Sequence, residues 1–268
     1  MRESRKREIR IKAENFRGKC KVGRYGILDL FKECERCGYK LIRYPLGENA
    51  DMGFSMEKDG DTIIFTNTCY VFCKENFTLA HEIGHVVLHS CDQVPFIENA
   101  GTAMDEKEEE ADYFAVSLVM PGEEVGKFLD LEIEDFNDKG LSAMDLARLM
   151  SEFHVSFDLA LTRLESLQYI SHKDRLKLDN ERMRFRVEKF LQSMGGAYSL
   201  NEAGKEVSIP YEYIRYAVYN YNRKAIPKET LEKLLNCYHL TMEDISDRLE
   251  EVPQEEEGLD ELIGGLED

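Results

Sequence analysis

The run Phe77-Thr78-Leu79-Ala80-His81-Glu82-Ile83-Gly84-His85-Val86-Val87-Leu88-His89 constrains this chain more than any other. Its apolar residues recur at helical spacing, which predicts one helix over Phe77–Ser90. Four residues make about 400° of helical rotation, so His81 and His85 stack on one face a turn apart. Glu82 is turned about 100° away from His81 and lies off that line.

Two imidazoles so placed can ligate a single Zn²⁺, and a carboxylate beside them is free to act as general base on a water at the ion. The four-residue pattern also arises by chance in unrelated helices, so a third ligand has to decide. A hydrolytic zinc site needs three protein ligands and one open position. The predicted helix Asp105–Met120, stopped by Pro121-Gly122, offers Glu108-Glu109-Glu110-Ala111-Asp112. Its apolar face runs Ala111, Phe114, Ala115, Leu118, and Glu108 falls on that face one turn earlier. Glu108 is therefore the expected third ligand, and Asp112 is placed to orient His81 or its neighbour from behind. Glu106, Glu109 and Glu110 read better as negative charge favoured near a helix N-terminus.

These residues together resemble the ImmA/IrrE family of bacterial zinc metallopeptidases. The resemblance rests on Asn76 through His89, followed by Glu108-x-x-Ala111-Asp112-x-Phe114-Ala115-x-x-Leu118-x-Met120-Pro121, and is specific over residues 54–121. The chain departs from the pattern at Glu75-Asn76, where a basic residue is frequent, and at Asp112, where Asn is usual. The resemblance implies a site-specific endopeptidase that cleaves a helix-turn-helix transcriptional repressor, relieving repression of stress-response or mobile-element genes. It also implies a helix-turn-helix-like domain behind the peptidase domain.

The expected fold is α+β: a zincin-like N-terminal metallopeptidase domain with a small sheet, an all-α helix-turn-helix-like domain and a C-terminal helical bundle. Two helices, the basic N-terminal stretch and Ile27–Cys37 closed by Gly38, precede a strand at Tyr39–Tyr44. Strands Phe54–Glu57 and Thr62–Thr66 flank the turn dipeptide Asp59-Gly60. A looser stretch, Cys91–Thr102, separates the two site helices. Leu141–Phe153 and Ser156–Leu167, joined at His154-Val155, form the helix-turn-helix-like pair. A charged helix near Lys173–Met194 leads to the Gly195-Gly196 break, and helices near Tyr211–Tyr221, Lys228–Tyr238 and Met242–Glu250 close the chain. The expected domains are 1–122, 123–185, 186–250 and an acidic tail, 251–268. Counted from Glu250, that end has nine acidic side chains and no basic one, and disorder is expected there.

Lys+Arg 35 against Asp+Glu 53 gives a net charge of −18, which argues against gripping nucleic-acid phosphates or an anionic membrane as the main task. Residues 1–45 run the other way, with 14 basic and 6 acidic side chains, either docking on the acidic remainder or meeting an acidic partner. No window is long and apolar enough for a membrane span or signal peptide, and seven irregularly spaced cysteines fit reduced thiols, so a cytoplasmic protein is expected.

Tyr70, Tyr113 and His89 are candidates for an oxyanion donor or a cleft residue, with packing as the plainer role of each. His154, His172 and His239 read as surface or packing residues, and Cys34-x-x-Cys37 as buried thiols rather than half of a zinc ribbon. In YEYIRYAVYNY the spacing of Tyr213, Ile214, Ala217 and Tyr221 marks a core or groove face. The second helix of the pair offers only Arg163 as a base-edge reader, so direct DNA binding is not expected and a protein partner is. The leading function is a zinc endopeptidase acting on a helix-turn-helix repressor, its substrate laid along the edge of Thr62–Thr66. His81, His85 and Glu108 hold Zn²⁺, with Mn²⁺ also acceptable to the donor set. The competing reading is a non-catalytic module that captures a repressor or antitoxin-like partner.

Overall fold

The basic N-terminal stretch folds into helix α1, Glu3–Arg17, which buries Ile9, Ala13 and Phe16. The computed structural model describes residues 1–58, 60–89, 101–134, 136, 140–184, 189, 191, 198–210 and 212–249. Helix α2, Leu30–Arg36, starts later than the apolar pattern from Ile27: Ile27 is held in a bridge with Val22, and Asp29 caps the helix by accepting from the Lys32 amide at 3.1 Å. Gly38, at φ +92°, follows the helix end in the left-handed region and turns the chain into strand β1, Lys40–Tyr44. Strands β2, Gly53–Lys58, and β3, Asp61–Asn67, are joined through Gly60 at φ +85°. Asp59, the other half of the expected turn, lies outside the described residues.

The sheet order is β1-β3-β2, with β1 parallel and β2 antiparallel to β3. This corrects the expected substrate edge. The strand over Thr62–Thr66 is central and hydrogen-bonded on both sides, because β1 occupies the side that a lone hairpin would leave open. β1's outer side in turn bridges Ser208 at Arg43, while β2 is the edge strand.

Helix α3, Phe72–His89, begins five residues before its apolar periodicity does. Glu75 and Asn76 look like turn residues in sequence, yet both are buried with partners that the fold supplies. The Arg43 guanidinium donates Nε and NH2 to Glu75 at 2.8 and 2.9 Å, and Asn76 Nδ2 donates to the His154 carbonyl at 3.2 Å. Thr66 Oγ1 donates to Glu75 as well, at 2.8 Å. Helix α4, Gly101–Val119, packs along α3, and Pro121 leads into α5, Gly122–Glu132. The stretch 90–100, which holds most of the expected loose segment, lies outside the described residues.

Helices α6, Ala143–Phe153, and α7, Phe157–Ser166, are joined by His154 at φ +54°. Ser142 and Asp145 form a capping box on α6, and Ser156 caps α7 by accepting from Leu159 N at 3.2 Å. Helix α8 covers His172–Arg184, and a 3₁₀ turn spans Tyr198–Asn201. The Gly195-Gly196 break lies outside the described residues. One compact unit runs from Met1 to Ser208. Its core is continuous, joining Ile9, Leu41, Ile64, Ile83, Phe114 and Met120 to Leu146, Phe153 and Leu161.

The second unit is Ile209–Asp268. Helices α9, Glu212–Asn222, and α10, Lys228–Cys237, enclose a small core of Ile214, Val218, Leu231, Leu235 and Ile245. Ala217 and Tyr221 pack against it, whereas Tyr216 and Tyr219 are exposed. The last expected helix is a 3₁₀ turn, Glu243–Arg248, started by Asp244 accepting from the Thr241 amide and hydroxyl at 2.8 and 2.7 Å. The acidic tail lies outside the described residues. Among the described residues, no helix is long and apolar enough to cross a membrane.

Candidate metal centre

Leu79, Ala80 and Ile83 are fully buried, which turns the other face of α3 outward with His81 and His85 on it. Gly84, between the histidines, is where α4 approaches. A Cβ there would meet the Ala111 carbonyl oxygen at 3.1 Å and the Ala111 Cα at 3.2 Å, so two small residues let the helices close. That approach brings Glu108 to the histidines. His81 Nε2 lies 3.2 Å from Glu108 Oε2, His85 Nε2 lies 3.3 Å from Oε1, and the two Nε2 atoms are 3.0 Å apart.

His81, His85 and Glu108 each offer a donor atom within 4.8 Å of the others, a set that can hold a metal ion. Asp112 Oδ1 lies 2.9 Å from His81 Nδ1. With the Nδ1 proton given to Asp112, the Nε2 lone pair of His81 points into the group, as a metal ligand requires. Burial opposes protonation of His81, but the Asp112 hydrogen bond and the carboxylates of Glu82, Asp112 and Glu108 outweigh it and raise its pKa. Burial and the neighbouring His81 lower that of His85. Two imidazole nitrogens 3.0 Å apart are compatible only when a proton or a cation lies between them. Two imidazoles and one carboxylate, with no Lys or Arg among them in the described residues, fit a divalent ion such as zinc.

Glu82 is buried beside this set, and Ser55 Oγ of β2 donates to its Oε2 at 2.9 Å. Burial raises its pKa, with the Ser55 bond and His81 pulling the other way. Gly53 lets β2 run this close: a Cβ there would sit 2.5 Å from Thr78 Cγ2 and 2.9 Å from the Phe65 carbonyl oxygen.

The remaining candidates lie elsewhere. Tyr70 is committed to the 48–50 loop, its hydroxyl within 2.8 and 3.1 Å of the Glu48 and Ala50 carbonyl oxygens. Tyr113 packs against the core, with Lys6 Nζ 6.0 Å from its ring centre. The His89 ring lies 5.7 Å from that of His85, but its Nε2 faces Glu110 rather than the donor group, at 3.8 Å. Arg163, the nominal base reader, is buried and donates Nε to the Met120 carbonyl at 2.9 Å, capping the end of α4. His154 is a packing residue, edge-on to Phe72 with centroids 6.4 Å apart.

Residues 34–165 match the model of the Peptidase_M78 family, described as the IrrE N-terminal-like domain. The chain carries an IrrE N-terminal-like domain. No curated protein matches the chain. The IrrE N-terminal-like stretch takes in the sheet, α3, α4 and the α6–α7 pair, and it leaves α1 outside. The match supports a metallopeptidase-type function for this domain, in keeping with the His-His-Glu group.

Sequence reasoning passed over Ser55, Gly53, Gly84 and the Arg43–Glu75 pair. The small residues carried a signal: Gly84 sits in the middle of a helix where glycine is costly, which asks for a close approach. Ser55 carried none, since only the sheet order brings β2 over Glu82.

Proposed function

We propose that the chain is a zinc-dependent endopeptidase that cuts a helix-turn-helix repressor in the cytoplasm and so relieves repression of stress-response or mobile-element genes. The observation that carries this reading is the convergence of His81, His85 and Glu108, with buried Glu82 alongside and the edge strand β2 next to it. His81, His85 and Glu108 hold the ion, and Asp112 fixes the ring of His81. When bound, zinc supplies Lewis acidity and a water that ionises near neutral pH.

Glu82 takes the water's proton and returns it to the leaving amine. Ser55 aims its carboxylate. β2 is free to pair with an extended peptide, which orders the scissile segment beside Glu82 and replaces the central strand as substrate edge. The substrate class rests on the ImmA/IrrE resemblance, and Mn²⁺ is a second ion that this donor set accepts.

The test is Glu82→Gln, co-expressed with a helix-turn-helix repressor encoded beside the gene. Cleavage is expected to stop while the repressor still binds. Cleavage that persists would sink the mechanism, and capture that survives a chelator without any cleavage would favour a binding module.

A further inference from the structure

The basic helix α1 lies outside the family-matched stretch and has no part in the chemistry so far, yet it reaches the third ligand's helix. Arg5 donates Nε and NH2 to the two carboxylate oxygens of Glu110, at 2.6 and 2.5 Å. Both side chains are more than two-thirds shielded, at 29% and 18% exposure, so water competes poorly with the pair. Glu110 is two residues beyond Glu108 and therefore about 200° round the helix from it. Arg5 thus grips the opposite side of the turn that presents Glu108. His89, at the end of α3, also faces Glu110, from 3.8 Å.

That turn needs holding. Glu106, Glu108, Glu109, Glu110 and Asp112 repel one another along it, and neighbouring like charges loosen a helix. Glu106 is exposed, and Glu109 meets only the Met1 ammonium, at 3.3 Å on an exposed surface where water screens the pair. The close contact of Gly84 with Ala111 secures α4 one turn beyond Glu108. A bidentate guanidinium bond is strong and directional, and α1 is a firm base for it because Ile9 and Ala13 are completely buried.

We propose that Arg5 is a positioning residue for the metal centre: through its clamp on Glu110 it fixes the turn of α4 that sets Glu108 against His81 and His85. This rests on the reading of Glu108 as a ligand. Arg5 touches neither the ion nor the substrate, so its effect passes through the helix and shows first in metal affinity.

The experiment measures Zn²⁺ affinity of the full chain by competition with a chromophoric chelator, with helicity followed by circular dichroism. Arg5→Ala and the charge-keeping Arg5→Lys are each expected to weaken zinc binding about tenfold at unchanged helicity. The exchange Arg5→Glu with Glu110→Arg should restore most of that loss. In a Glu108→Gln chain, Arg5→Lys should cost nothing further, because the element it positions is gone. Unchanged zinc affinity in Arg5→Lys overturns the proposal, as does an equal loss with and without Glu108, which would make Arg5 a general support of the fold. Glu108→Gln alone reports on the ligand reading separately: zinc held as tightly as by the unchanged chain refutes that reading whatever Arg5 does.

Discussion

Helix α3 has two halves that treat charge in opposite ways. In its first turns Glu75 is buried and saturated, taking both arms of Arg43 and the Thr66 hydroxyl, while Arg43 also reaches Glu206. About two to three turns on, His81 and His85 gather donor atoms with Glu108 of α4 and remain partly open to solvent. The first arrangement pairs each charged group with its own partner, and the second aims three donor atoms at one point. A polar cluster marks a site when its donor atoms converge, and it is plain architecture when each has its own partner.

The contrast breaks most sharply at Glu82. Glu82→Gln keeps the shape and the Ser55 contact but removes the proposed base, so peptide hydrolysis should fall about a thousandfold with zinc affinity nearly unchanged. A variant that keeps its activity would place the base elsewhere.

Glu75→Gln tests the other half. It removes one of the two carboxylates paired with the buried Arg43 guanidinium and leaves only that of exposed Glu206, so the cost lies at or below the roughly 3–5 kcal/mol of breaking a lone buried pair. Denaturant unfolding should show that loss, while the protein that remains folded binds zinc as before. If zinc affinity falls along with stability, the two halves are one cooperative unit. Gly84→Ala is expected to cost less, about 1–3 kcal/mol of overpacking against Ala111, and to weaken zinc binding by prising Glu108 away.

The sequence displayed the second half of α3 far better than the first. His81, Glu82 and His85 could be read because a helix converts spacing directly into facing, and Glu108 because it shares a face with Ala111 and Phe114. The first half was illegible because its logic is tertiary. Glu75 and Asn76 look like loop residues until Arg43, 32 positions earlier, and His154, 78 positions later, come to meet them. The sheet failed for a similar reason. Asp59-Gly60 announces a hairpin, but nothing local tells that β1 will add in parallel to β3 and leave β2 as the edge. Arg5 was visible as one basic residue among fourteen in residues 1–45, and only packing selects the one that meets Glu110.

The smallest expected effect belongs to the neighbourhood of the first half. His154 sits in the α6–α7 joint, its carbonyl taken by Asn76 and its ring against Phe72. Burial pushes its pKa below the ordinary 6.5, with the Ile27 backbone pulling weakly the other way. Above pH 6.5 the ring is neutral in the folded and unfolded chain alike, so stability there is unaffected. As pH falls below 6.5 the unfolded chain takes up a proton that the folded chain resists, and stability is lost until the folded pKa is reached. One such group gives a slope of at most about 1.4 kcal/mol per pH unit. His154→Asn suits the left-handed backbone at φ +54° and removes the titrating ring. Urea midpoints of both chains between pH 7 and 5 should therefore converge as pH falls, whatever His85 and His89 add to each. Parallel curves would mean that the joint is neutral scaffolding, and that pH reaches this helix through the titrating groups of its second half.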